Sequence, residues 1–374
     1  MNRHYIYYII GVALAALSAC TGDPEPTAEG TVVPIGFTAS VSEAGIAQTR
    51  AGSSFVEGTA FGDGATVGVF ATSSSGLLAR GNSGYEASTA NNLSNAPLSV
   101  SGNTLNYATE RYWPTDEVTF FGYYPRVDPG NPWITYDNQA PPSKITYTMP
   151  ASASAAEQVD LLVSEVTKTT LSQTGRGITP LNGVVPLVFH HALSQIRFYV
   201  LIDADEDGIW WDAVNNKAID FVVRIDLSGV YASGTLTIGS DASSNEWGGH
   251  SWGGQNGSAT STADNATWTA VNAKTFNQAS FRPDDYGITD AEKMLVIPAT
   301  YTTLPTMTVS VRDNRSIDDS QKNGTASLST SLTANDGASL TWKAGYIYNY
   351  FFVIELGKTV KGYFLDPTKK AEQW

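Results

Sequence analysis

Asp203, Asp205 and Asp207 alternate along the chain and are followed by Gly208, a D-x-D-x-D-G run. A calcium loop uses this spacing to point alternate carboxylates at the ion, with glycine making the sharp turn. Such a loop needs a bidentate glutamate at its twelfth position, but Val214 stands there and only Asp212 is near. The run therefore reads either as a calcium site or as a solvated acidic hairpin tip. Trp247 and Trp252 lie in EWGGHSWGGQNG, with Trp268 further on. Large rings on a glycine-rich backbone can stack on a sugar, giving a glycan contact at Trp247 and Trp252, or they can pack a loop over a sheet. The four histidines leave little room for acid–base or metal chemistry. His190 and His191 are neighbours in an apolar strand-like run and would face opposite sides of a sheet, which suits packing rather than shared ligation. His250 has no partner at ligand spacing. The only cysteine, Cys20, can form no internal disulfide. No G-x-S-x-G elbow, P-loop or dinucleotide fingerprint is present. The expectation is a protein that is not an enzyme and has no cofactor, calcium being the one alternative.

Cys20 has a chemistry of its own. Arg3 and His4 precede an apolar run over residues 5–16, too short to span a bilayer comfortably, and Leu17-Ser18-Ala19-Cys20 follows directly. This pattern resembles a bacterial lipobox, which implies a signal peptide over residues 1–20 and a lipid on the Cys20 thiol. An ordinary signal peptide with a chance cysteine is the other reading. Residues 21–30, TGDPEPTAEG, read as an acidic tether, and acidic residues just after the cysteine resemble signals for export to the outer face. The expected location is the outer membrane at the cell surface, held by the lipid alone. A balance of 22 basic and 36 acidic residues, net −14, disfavours nucleic acid and anionic lipid surfaces as partners.

The elements that would carry these residues are strands. Within residues 31–52, Val33, Ile35, Phe37, Ala39 and Val41 alternate with Pro34, Gly36, Thr38, Ser40 and Ser42, the pattern of a strand buried on one face. Arg50 follows in small polar surroundings, just before Ala51 and Gly52. A strand that fits a core, joined through a basic residue in a soft linker, is suited to being cut loose. Further strand-like runs fall at residues 65–72, 111–125, 144–149, 160–166, 185–203, 219–227, 231–238, 294–298, 307–311 and 346–355. The aromatic run Phe120, Phe121, Tyr123 and Tyr124 reads as core. Residues 73–99 are polar and rich in glycine and asparagine, and read as loop or hairpin. No segment longer than about ten residues shows helical periodicity with caps. The fold class is therefore all-β, most simply two tandem β-sandwich domains over residues 51–183 and 184–374, with residues 21–50 as tether and first strand.

Several stretches taken together resemble the fimbrillin family of Bacteroidales-type surface-pilus subunits. They are the run ending at Cys20, IGFTASVSEAG and TRAG in residues 35–52, RYWPTDEVTFFGYYP, the DLLVS block at Asp160, VPLVFHHALSQIRFYV, and WKAGYIYNYFFVIEL. The resemblance implies transthyretin-like sandwiches and a lipoprotein precursor that an arginine-specific protease cuts after Arg50, before Ala51. It implies that loss of the strand carrying Val33, Ile35, Phe37 and Val41 opens a groove, which a donor strand from a neighbouring subunit fills. Pilus subunits would then be the partners, and the fimbrium the final location. The donor would be C-terminal, most plausibly GKTVKGYFLDP, where Val360, Gly362 and Phe364 alternate with Lys361, Tyr363 and Leu365. The alternative is a surface glycan-binding lipoprotein that does not polymerise, or a tip adhesin on the same fold.

Overall fold

The alternating runs become strands, and where a strand is apolar on both faces it separates two cores. The computed structural model describes residues 32–42, 56, 60–82, 84–171, 183–204, 211–212, 217–219, 221–239, 249–266, 270–271, 292–315, 317–318, 320, 325–332, 339–356, 360–365 and 372–373. In chain order the strands begin with β1 Gly36–Val41, β2 Thr66–Ser73, β3 Leu77–Gly81, β4 Gly84–Ser88, β5 Leu93–Ser101, β6 Thr104–Asn106 and β7 Val118–Tyr124. There follow β8 Ile134–Tyr136, β9 Lys144–Thr148, β10 Ser152–Ser154, β11 Leu162–Ser164, β12 Thr167–Thr169, β13 Val184–His191 and β14 Ser194–Ala204. Next come β15 Trp211–Asp212, β16 Lys217–Ala218, β17 Phe221–Val230, β18 Ser233–Thr237, β19 Ser251–Asn256, β20 Ala259–Ala266, β21 Ala270–Val271 and β22 Glu292–Val296. The last are β23 Ala299–Tyr301, β24 Thr306–Asp313, β25 Thr325–Ser331, β26 Leu340–Trp342, β27 Tyr346–Leu356, β28 Val360–Leu365 and β29 Glu372–Gln373. Among the described residues the helical elements are two 3-10 turns, Thr89–Asn91 and Ala155–Glu157. The protein is all-β.

The first sheet runs β11-β13-β1-β6-β5-β2-β7-β12, and β11 also pairs with β7, so the path closes on itself. Closure leaves β1 in the interior of the sheet, between β13 and β6. Inside sits a core built from Ile35, Phe37, Val67, Leu98, Phe120, Leu187 and their neighbours. Strand β7 shows why its sequence is continuously apolar: Phe120 faces this core, whereas Phe121 and Tyr123 face a second one. Leu162 and Val163 of β11 divide in the same way.

The second core lies among the sheets β10-β20-β17-β24-β25, β19-β18-β9-β8 and β21-β14-β27-β28, with β22 on β14 and β29 on β27. Strands that precede and follow Gly183 share these sheets: β13 lies beside β1, while β9 and β10 lie beside β18 and β20. In the β24–β25 pair, Met307, Val309 and Val311 are buried, and the opposite face carries hydroxyl pairs, Thr308 with Ser329 at 2.7 Å and Ser310 with Ser327 at 2.9 Å. Such cross-strand pairs stabilise a solvated face and use the serine and threonine that the composition supplies. Among the described residues, strand β28 pairs with β27 alone and ends its sheet.

The stretch 73–99, expected as loop or hairpin, forms the β3–β4 hairpin and then most of β5. Alternation is hidden in β5 because the chain shifts register there. Leu93 and Asn95 are buried at odd positions, Leu98 and Val100 at even ones, and Asn95 takes a φ of 50°. A bulge of this kind moves every later side chain to the other face. Its own amide is used inside: Asn95 Nδ2 donates to Val127 O at 2.9 Å, and Tyr123 donates its hydroxyl to Asn95 Oδ1 at 2.7 Å.

Candidate functional site

The first strand and the groove that holds it form the candidate site. Strand β1 runs parallel to β13 in an unbroken register from Gly36 with Val184 to Val41 with Phe189. On its other side it meets β6 over only Phe37 with Leu105 and Thr38 with Thr104. Further backbone bonds fix its length: Ile35 N donates to Arg111 O at 2.8 Å, Ala39 N to Asn103 O at 2.9 Å, and Ser42 N to Phe189 O at 2.8 Å. Ile35 and Phe37 are each 1% exposed and Val41 3%, whereas Val33 is half-buried against the same core. Phe37 sits edge-on to Tyr107 at 5.7 Å and to Phe120 at 5.9 Å. At about 1.5–3 kcal/mol per fully buried side chain, Ile35, Phe37 and Val41 together contribute roughly 4.5–9 kcal/mol. That rivals the whole net stability of a typical domain, about 5–15 kcal/mol. An emptied groove would therefore need refilling.

The two ends of the groove differ. At the end where the chain enters, Gly183 has a φ of +84°, and a Cβ there would stand 2.6 Å from the Pro34 carbonyl oxygen. Only glycine allows so close an approach. The Gly183 carbonyl accepts from the Trp113 indole N–H at 3.0 Å and from Gly36 N at 3.1 Å. At the Val41 end, the buried side chains Val56 and Phe61 join the core. The Phe61 ring meets Phe189 at 5.1 Å, nearly perpendicular, and Tyr124 at 5.0 Å. Val56 N donates to the Asp160 carboxylate at 3.1 Å, and the same carboxylate lies 3.2 Å from His191 Nδ1. Both Asp160 and His191 are buried.

Of the residues singled out in the sequence, the structure brings Ile35, Phe37 and Val41 together on one face, with Val33 at their margin. Cys20, Arg50, Ala51, Asp205, Asp207 and Trp247 lie outside the described residues. Asp203 falls on β14, in register with Glu355 of β27 and Val271 of β21. Among the described residues, no three histidine, cysteine or acidic side chains are grouped as metal ligands. Trp252 donates its indole N–H to Ala192 O at 2.6 Å and packs against the second core. Its ring occupies the space that Gly234 leaves open, where a Cβ would come within 3.2 Å. A polar cleft of about 920 Å³ opens beside Asn92, Asp116 and Glu117. Asp116 accepts from the hydroxyls of Ser73, Ser74 and Ser75, which hold its carboxyl below the usual range despite the opposing desolvation. Those bonds use its lone pairs to tie the turn between β2 and β3.

The Asp160–His191 pair was not singled out in the sequence as a pair. Its signal there is only an acidic residue opening one apolar run and a histidine inside another, 31 positions apart. His250 is likewise inward: its Nδ1 accepts from Gly239 N at 2.8 Å, and its Nε2 lies 3.0 Å from Ser164 O, which fixes the neutral tautomer with a proton on Nε2. Burial pushes its pKa down from 6.5 to about 4. A depressed histidine stabilises the fold fully above the unfolded pKa and loses that contribution as pH falls from about 6.5 towards 4. Wild-type protein should thus lose on the order of 3 kcal/mol more over that window than His250→Gln, measured as urea stability against pH.

Residues 49–363 match the fimbrillin-like family. Among solved structures, a candidate cell adhesion protein of Bacteroides uniformis is 14% identical with a TM-score of 0.48, over 92% of this chain and 99% of that one. A fimbrial protein of Bacteroides vulgatus is 17% identical with a TM-score of 0.40, over 90% of this chain and 100% of that one. No curated protein sequence matches.

Proposed function

Because this chain belongs to the fimbrillin-like family, we propose that it is a pilus subunit whose first strand is a placeholder, exchanged on the cell surface for a strand of a neighbouring subunit. Support comes above all from the seating of β1. It is an interior strand of a closed sheet, yet it ends at Val41, and Arg50 follows in the segment before Val56. The precursor is exported through the signal over residues 1–20 and anchored in the outer membrane by lipid on Cys20. An arginine-specific protease cuts between Arg50 and Ala51. Loss of β1 exposes the faces that held Ile35, Phe37 and Val41, together with unpaired edges on β13 and β6, and an extended strand satisfies both by β-augmentation. The donor is β28, which among the described residues is a sheet-terminal strand paired with β27 alone and so has fewer bonds to lose than β1 has. Two sandwich domains, one on each core, give the subunit its length, and assembled subunits support adhesion. Among the described residues no helix is long and apolar enough to cross a membrane.

Arg50→Ala tests this reading. The variant should reach the surface in normal amount but remain a lipid-anchored monomer, seen as loss of the high-molecular-weight ladder on gels of unboiled cell-surface extracts. Polymers of normal length from that variant would contradict it.

A further inference from the structure

The removal of a strand poses a question of register. A groove lined by apolar positions every two residues accepts an extended strand in several positions, each slipped by two residues. One end of this groove carries a fixed block. Val41, the last residue of β1, is in register with Phe189, and the Phe61 ring stands against that same Phe189 at 5.1 Å. Phe61 is 5% exposed and Val56 7%, although both follow Arg50 closely in sequence and belong to no strand. Their position does not depend on β1 alone. Val56 N is held by the buried Asp160 carboxylate, which is itself bonded to His191 of β13, and Phe61 is also held by Tyr124 of β7.

Resting on the reading of β1 as a replaceable strand, we infer that Phe61 is a resident stop, anchored through Val56 to Asp160 and His191, that closes the Val41 end of the groove and fixes how far an incoming strand of a second copy can enter. The stop stays with the subunit when the chain is cut at Arg50, because Asp160, His191 and Tyr124 lie downstream of the cut. Residues 51–55 are then the only part of the new N-terminus ahead of the anchor. The opposite end, by Pro34 and Gly183, is bordered by the buried Trp113, whose indole is held on the Gly183 carbonyl. Phe61 sets the limit at the Val41 end. Phe61 is a positioning residue, and its role is distinct from the apolar burial that makes the groove bind.

The test uses the full mature chain with Cys20→Ser, a unique protease site placed within residues 43–50, and Thr104→Cys on β6, the position in register with Thr38. After cutting and removal of the freed strand, ten-residue probes of alternating valine and serine are added, each with one cysteine at a different serine position. Uniform valines carry no size pattern of their own to set the register. One cysteine position should form the disulfide with the thiol introduced on β6 at least tenfold more than its neighbours two residues away. Phe61→Ala should reduce that preference below threefold with probe still captured, and Phe61→Leu should restore it. A preference that survives Phe61→Ala overturns the stop while leaving strand exchange intact. Absence of capture in every register, with the stripped protein still folded by circular dichroism, overturns the exchange reading and the stop with it.

Discussion

Phe37→Ala should destabilise the intact precursor by about 3–5 kcal/mol, the usual cost of truncating a fully buried phenylalanine. Phe37 is 1% exposed and touches rings on two sides, Tyr107 and Phe120. Neither neighbour can collapse easily into the space: the Tyr107 hydroxyl donates to Ile35 O at 2.6 Å, and Phe120 is wedged against Trp113 at 5.4 Å. Urea unfolding of the uncut chain measures the loss. The same substitution separates placeholder from permanent strand. In a chain cut after residue 42 and stripped of β1, the alanine is gone, so cut variant and cut wild type should have equal stability. A peptide of residues 33–42 carrying the alanine should bind the stripped protein roughly two to four orders of magnitude more weakly than the wild-type peptide, the same free energy read as affinity.

The second large effect concerns Asp160. Its carboxylate is buried and receives the Val56 amide and the His191 imidazole. Asp160→Ala takes this acceptor away from both groups inside the protein, and loss of a buried hydrogen-bond acceptor costs about 1–3 kcal/mol for each donor it served. Asp160→Asn keeps one acceptor oxygen and should cost less. Measured as the shift of the urea midpoint at constant m, the alanine variant should fall well below wild type and the asparagine variant between them. If both variants matched wild type, the Val56 anchor would have no energetic content. Combining Asp160→Ala with His191→Ala should cost less than the sum of the two single changes, because the bond between the two side chains can be lost only once.

Periodicity made β1 and β7 legible. Alternation from Val33 to Val41 is unbroken, and a run as apolar as Phe120 to Tyr124 fits few places other than a strand between two cores. It failed at β5, where the bulge around Asn95 moves the buried face from odd to even positions and leaves the stretch looking polar. It also could not supply closure. The pairing of β11 with both β13 and β7 joins segments far apart in sequence, and no local pattern encodes which strands meet. Pairing of β9 with β18 across Gly183 is hidden for the same reason. Within the site, the apolar face of β1 was readable because burial leaves an imprint every second residue. The anchor at Asp160 was not, since a single carboxylate and a single histidine carry no spacing until the fold brings them within 3.2 Å. Trp252 was open to two readings, since a tryptophan among glycines can stack on a sugar or pack over a sheet; one glycine, Gly234, makes room for the ring to pack inward.

The most direct measurement is the N-terminus of the subunit in purified surface fibres, read by mass spectrometry of the intact polypeptide. A chain beginning at Ala51, with residues 33–42 absent from the fibre, is the predicted result. Fibres whose subunits retain β1 and begin at a lipid-modified Cys20 would contradict the account.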